Sequence, residues 1–209
     1  MFQTDQSVFK EVGFLDKKDS KKDLIADAAL SCFLLTGYGG TSMDDIVKAA
    51  GMSKGGIYWH FKGKEEIFLY LAEKWMSETE RELLALSAGN GPTKEKLIKL
   101  EEHYLDKING PVSAIIYEFT LQAKDKEILE RLHTRINNSK RNEIIKDIIQ
   151  TAINKGEFRP LDADTATDVF ISLFEGISLQ WFTRRKDKKA LANTANMALG
   201  IFFEGVLNK

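Results

Sequence analysis

Between Ser53 and Phe61 the chain reads Lys54-Gly55-Gly56-Ile57-Tyr58-Trp59-His60, a run whose side chains suit contact with a polyanion. Lys54 supplies charge, the glycines admit a close backbone, and the phenol, indole and imidazole can reach phosphates or base edges in a major groove. His60 reads equally as a half-exposed residue at a helix C-terminus, where the dipole favours it. Ile46 to Lys64 holds Lys48, Lys54, Lys62 and Lys64 and no acid, in a chain of net charge −1. With 30 Lys+Arg against 31 Asp+Glu, affinity for nucleic acid must come from such a local patch rather than from a global field. Each glycine in the first turn of a helix costs on the order of 1 kcal/mol relative to Ala, so something must need a missing side chain at Gly55 and Gly56. Lys64 opposes the dipole of the helix it begins, whereas Glu65 and Glu66 suit it, and a docked phosphate would relieve the conflict.

These residues need short helices to present them. The pattern predicts a first helix from near Ser20 to Thr36, with Leu24, Ile25, Ala28, Ala29 and Phe33 facing a core and Gly37 as its stop. After the loop Gly37-Tyr38-Gly39-Gly40, Thr41 and Ser42 each have an Asp three residues on, a capping-box-like start for a helix ending near Ala50. Gly51 makes a turn, and Ser53 caps a third helix through His60 whose Ile57 and Phe61 face inward and turn Tyr58 out. Gly63 leads into a fourth helix from Lys64 to Ala88 with Ile67, Tyr70, Leu71 and Trp75 on one stripe. Short helix, glycine turn, short helix is the spacing of a helix-turn-helix.

Beyond Gly89-Asn90-Gly91-Pro92 longer helices are expected over 93–109, 112–123, 125–155, 162–184 and 188–208. The last two carry the strongest apolar content and want burial on more than one side, as an internal core or as a subunit interface forming a four-helix bundle. Clean apolar/polar alternation bounded by tight turns is missing, so the fold class is all-α. Three regions follow: an N-terminal extension over 1–19, a helix-turn-helix DNA-binding domain over 20–66, and a larger helical ligand-binding and dimerisation domain over 67–209. The extension could be an arm, a short helix or a tail.

The segment Leu24 to Phe68 resembles the DNA-binding domain of the TetR/AcrR family of bacterial transcriptional regulators. The likeness is carried by Gly37-Tyr38, Thr41-Ser42, Ile46, Ala50-Gly51-Met52-Ser53, Ile57-Tyr58-Trp59-His60-Phe61 and Lys64-Glu65-Glu66-Ile67. It implies a homodimer joined through the last two helices, with each subunit's DNA-binding domain linked by helix four to a ligand-binding domain. It also implies operator contacts from Ser42, Lys54, Gly55, Gly56, Tyr58, His60 and Lys64, with Thr41 as a further phosphate contact. Tyr58-Trp59-His60 is like the triplet of the tetracycline repressor, but Lys54-Gly55-Gly56 departs from it, so the operator sequence does not carry over. A double-stranded palindromic operator, a small-molecule effector and repression are the implied partners and mode.

Polar or aromatic groups in otherwise apolar helices supply candidate effector contacts: His103, Tyr104, Tyr117, Glu118, Gln122, Phe170, Phe174 and Trp181. Their character suits a largely apolar ligand with one or two polar groups. Enzyme chemistry is not expected, because His60, His103 and His133 lie far apart, His-Glu-x-x-His is missing, and Gly37 to Gly40 lacks the Gly-Lys-Ser/Thr ending of a phosphate loop. Neither a metal nor a cofactor is anticipated, and Cys32 reads as a reduced core side chain. No run approaches the roughly 18 apolar residues that cross a bilayer, and the N-terminus lacks signal-peptide character, which predicts a cytoplasmic protein.

Overall fold

The computed structural model describes residues 21–89, 91–108, 111–184 and 188–207. The expectations for 1–19, and for the charged turn at 185–187, lie outside the described residues. Among those described, ten helices follow in order: α1 Lys21–Gly40, α2 Met43–Ala50, α3 Lys54–Tyr58, α4 Lys64–Ser87, α5 Thr93–Ile108, α6 Pro111–Gln122, α7 Lys126–Asn137, α8 Lys140–Asn154, α9 Ala163–Arg184 and α10 Lys188–Val206. The fold is all-α, and its one β feature is an isolated bridge between Phe158 and Leu207. No described helix is long and apolar enough to cross a membrane.

Local punctuation accounts for most of these limits. Gly37, at φ 75° and ψ 167°, interrupts α1 where a stop was expected, although helical hydrogen bonding resumes to Gly40. The buried stripe of α1 is Ile25, Ala26, Ala29, Leu30 and Phe33, so Leu24 lies one position outside it and is exposed, contrary to the predicted facing. The single helix expected over 125–155 is two, because the Ser139 hydroxyl accepts from the Arg141 amide and starts α8 anew.

The chain packs as two compact units that do not follow its order. One takes in the chain to Ser77 with Gly110–Asn137, and the other Glu78–Asn109 with Asn138–Lys209, so the division falls inside α4. In the first unit α6 and α7 join the three N-terminal helices. Phe119 of α6 stacks on Phe68 at 4.0 Å between ring centres and meets the Tyr38 ring edge-on at 5.0 Å. Phe33 completes this aromatic centre, with Ile46, Ile57, Phe61 and Ile67 around it. The core of the second unit centres on Phe170 and Phe174 of α9 and Phe202 of α10, with Phe170 edge-on to Phe202 at 4.8 Å. Val169 and Leu179 of α9, and Met197 and Ile201 of α10, are exposed.

Candidate nucleic-acid interface

The recognition segment is held by two serine caps and a left-handed glycine. Ser42 and Asp45 form a reciprocal capping box at the start of α2, in which Asp45 accepts from the Ser42 amide at 2.8 Å and the Ser42 hydroxyl at 2.6 Å. Those bonds hold the Asp45 carboxyl below its ordinary range, the side-chain bond most strongly. Gly51 ends α2 at φ 63°, donating its amide to the Lys48 carbonyl, and the Ser53 hydroxyl then accepts from Gly56 at 3.1 Å to start α3. Backbone bonds from Trp59 to Gly55 and from Phe61 to Ile57 carry the turn past the end of α3.

Burial decides which side chains face out. Ile57 and Phe61 are in the core, leaving Tyr58 43% and Trp59 86% exposed, with His60 half-buried beside them. An indole left so bare gains little from its own fold and is free for a partner. A Cβ added at Gly55 would meet nothing of this chain within 4 Å, so no internal contact demands a glycine there. Gly56 has an internal reason, since its Cβ would come within 3.1 Å of the Ser53 hydroxyl that caps the helix.

Three expected contacts are placed differently from the sequence reading. Lys54 pairs with Asp44 at 2.8 Å, so the stretch that is acid-free along the chain is not so in space; that hydrogen bond and charge raise the Lys54 ammonium above its ordinary range. Thr41 is buried at 3% exposure, its hydroxyl donating to the Gly37 carbonyl at 2.8 Å and meeting that of Thr36, which takes it away from phosphate. Lys64 donates to the Tyr38 and Thr41 carbonyls at 2.7 Å each and lies 4.3 Å above the Tyr38 ring. These carbonyls, rather than a phosphate, offset the cation at the start of α4, and burial lowers its proton affinity. Exposed Ser42 spends its hydroxyl on the cap.

Residue Glu118 was expected in a ligand pocket and instead secures this segment. Its carboxylate accepts from the Tyr38 and Gly39 amides at 3.0 Å each, with the Gln122 amide at 3.2 Å. These bonds, the Gly39 one foremost, lower its pKa. Tyr38 to Thr41 is therefore held by its amides through Glu118 and by its carbonyls through Lys64. Sequence reasoning missed this clamp because no local pattern marks partners 80 positions apart.

The remaining pocket candidates do not converge. Tyr117, Glu118 and Gln122 belong to the first unit, and Gln122 is exposed. In the second, Phe170 and Phe174 are fully buried core, as their large apolar rings favour, and His103 pairs with Glu82 at 3.0 Å. Tyr104 lies 3.9 Å beneath the Arg141 guanidinium, which donates to Glu101 at 2.9 Å. The Trp181 side chain lies outside the described residues. Glu101 itself was overlooked, although a glutamate on the i, i+4, i+7 stripe Leu97, Glu101, Tyr104 marks a charge turned inward. Cys32 is half-buried, and burial raises its thiol pKa. Among the described residues no group of three or more His, Cys, Asp or Glu could hold a metal ion.

With this geometry in view, comparisons with known proteins point one way. Residues 25–71 match the model of bacterial regulatory proteins of the tetR family, and residues 95–192 match a tetracyclin repressor-like C-terminal domain. The chain is 26% identical over 205 residues to the uncharacterized HTH-type transcriptional regulator YfiR of Bacillus subtilis (strain 168), covering 88% of this chain and 92% of that one. It is 42% identical over 106 residues to the HTH-type transcriptional regulator AcrR of Shigella flexneri, covering 51% of this chain and 41% of that one. The crystal structure of FadR from Bacillus subtilis in complex with stearoyl-CoA shares the fold at a TM-score of 0.72 and 22% identity, covering 87% of this chain and 97% of that one.

Proposed function

This chain belongs to the TetR family of bacterial regulatory proteins, and on that premise we propose that it is a repressor that binds a palindromic operator as a homodimer and is released by a small, largely apolar effector. It is a DNA-binding, ligand-responsive transcription regulator and not an enzyme. The observation that carries the repressor reading is the exposure of Tyr58 and Trp59 beside Gly55, whose Cβ position is open. DNA approaching that backbone would account for a glycine the protein's own contacts do not require. Lys54, Gly55, Gly56, Tyr58 and His60 are the proposed contacts. Ser42 would add its exposed helix start, and Lys64 and Thr41 would act by holding the Tyr38–Thr41 turn.

Dimerisation through α9 and α10 is supported by a groove lined by Leu173, Ile177, Met197 and Ile201, an apolar surface that a second copy would cover. Two recognition helices about a dimer axis would then enter major grooves roughly 34 to 36 Å apart. The functional division is DNA binding over 20–66 and effector binding and dimerisation over 67–209, with α4 as the lever between them and the cytoplasm as the place of action. An effector that prefers the non-binding conformer by a few kcal/mol suffices for release. The stearoyl-CoA bound by the Bacillus subtilis FadR supports an apolar effector as the first class to test.

Selection of purified protein against random duplexes and the source genome, at two salt concentrations, tests this directly. One enriched palindrome, lost at high salt, is the expected result. Enrichment of a single unrepeated half-site would refute the dimeric operator, and no enrichment with ligand-stripped protein would refute DNA binding itself.

A further inference from the structure

A cavity of about 250 Å³ lies between α5 and α10 within the second unit. Leu105, Leu191 and Leu199 give it apolar walls, and Glu101, Glu102 and Asp106 border it. None of the described lining residues is basic. Glu101 has no exposed side-chain surface; its Oε1 accepts from the Arg141 guanidinium at 2.9 Å, while its Oε2 is buried without a partner. The Tyr104 ring lies 3.9 Å from that guanidinium, which keeps Arg141 in place on one oxygen. A carboxylate can accept about four hydrogen bonds, so a buried oxygen with none is an open acceptor site.

We propose that this cavity takes a small organic cation, a protonated primary amine on an apolar body, whose ammonium donates to Glu101 Oε2 while the body rests on the leucines. A carboxylate or phosphate head would face three like charges, and a neutral alcohol would forgo the attraction of the two acids beside Glu101. The volume is below the range of about 300 to 1,000 Å³ typical of drug-sized ligands, which suits an amine of modest size. The inference rests on the regulator reading only in naming the occupant an effector.

Isothermal titration of the full chain with 2-phenylethylamine, 2-phenylethanol and phenylacetate tests it, since the three share a body and differ in the head. The amine should bind saturably, the alcohol at least about tenfold more weakly, and phenylacetate least. Glu101→Gln should remove the preference for amine over alcohol. Because that change might disturb the core, Ala192→Phe offers a second route: this exposed residue lines the cavity, and a ring there should block the amine while the melting temperature holds. Equal binding of all three probes, no saturable amine binding, or full amine binding by Ala192→Phe would each overturn the site. Saturable, Glu101-dependent binding that leaves operator affinity unchanged would uphold the amine site and overturn its role as effector.

Discussion

Tyr58 and Ile57 are neighbours in sequence with opposite duties. The Ile57 side chain is wholly buried and Tyr58 stands in solvent, so truncating each separates folding from recognition. Tyr58→Ala should weaken operator binding by about 1 to 3 kcal/mol, as loss of a specific contact does, with an unchanged melting temperature; a gel-shift titration beside a thermal melt reads both. Ile57→Ala should destabilise the protein by about 2 to 5 kcal/mol. If Tyr58→Ala lowered the melting temperature as much as Ile57→Ala, the outward face assigned to α3 would be wrong. Lys64 and Thr41 illustrate the same separation, since their polar atoms are spent on the backbone carbonyls of the α1–α2 turn.

That turn shows how the helices are positioned. Gly37 at φ 75° and ψ 167° occupies a region nearly restricted to glycine, at a cost to other residues of about 1 to 3 kcal/mol. Gly51 at φ 63° and ψ 26° is left-handed, which costs a residue with a Cβ about 1 to 2 kcal/mol. A Cβ at Gly51 meets nothing, whereas one at Gly37 comes within 3.1 Å of the Glu118 carboxylate that holds the turn. Gly37→Ala should therefore lower stability more than Gly51→Ala and should also weaken operator binding by loosening the Glu118 clamp. Urea denaturation of both variants checks the order, and equal losses would show that the clamp adds nothing. The aromatic stack of Phe68 on Phe119 places α6 against the same turn, so a shift of α6 would reach α1 without passing through the recognition helix.

Across the protein, the buried Glu101 ties stability to pH. Burial pushes its carboxyl up to about 7 against the lowering effect of Arg141, from an ordinary value of 4.5. Between those values the folded chain holds a proton that the unfolded chain has lost, so stability should fall as pH rises from about 4.5 to about 7 and then level off. Denaturation midpoints at pH 5 and pH 7.5 should show this decline, and Glu101→Gln should remove it; a decline of the same size in the variant would assign it elsewhere. Assembly is tested separately. Ile201→Asp places a charge on the exposed stripe of α10, and by light scattering it should shift the proposed dimer toward monomer. An unaltered dimer would place the interface on another face.

Features set by neighbours within a turn or two were legible in the residues alone: the all-α class, the Ser42 and Ser53 caps, the stops at Gly37 and Gly51, and the inward Ile57 and Phe61. Helical period, capping and left-handed glycines act over three or four positions, so spacing suffices to find them. The Ser139 cap was equally local and was hidden by the apolar stripe that runs through it. The pairing of Lys54 with Asp44, the hold of Glu118 on Tyr38 and Gly39, and the burial of Glu101 against Arg141 were not legible. Each depends on which helix faces lie together after the chain has closed long loops. Periodicity tells a helix which face to bury, but the partner for a charge on that face comes from another helix, and only packing chooses it.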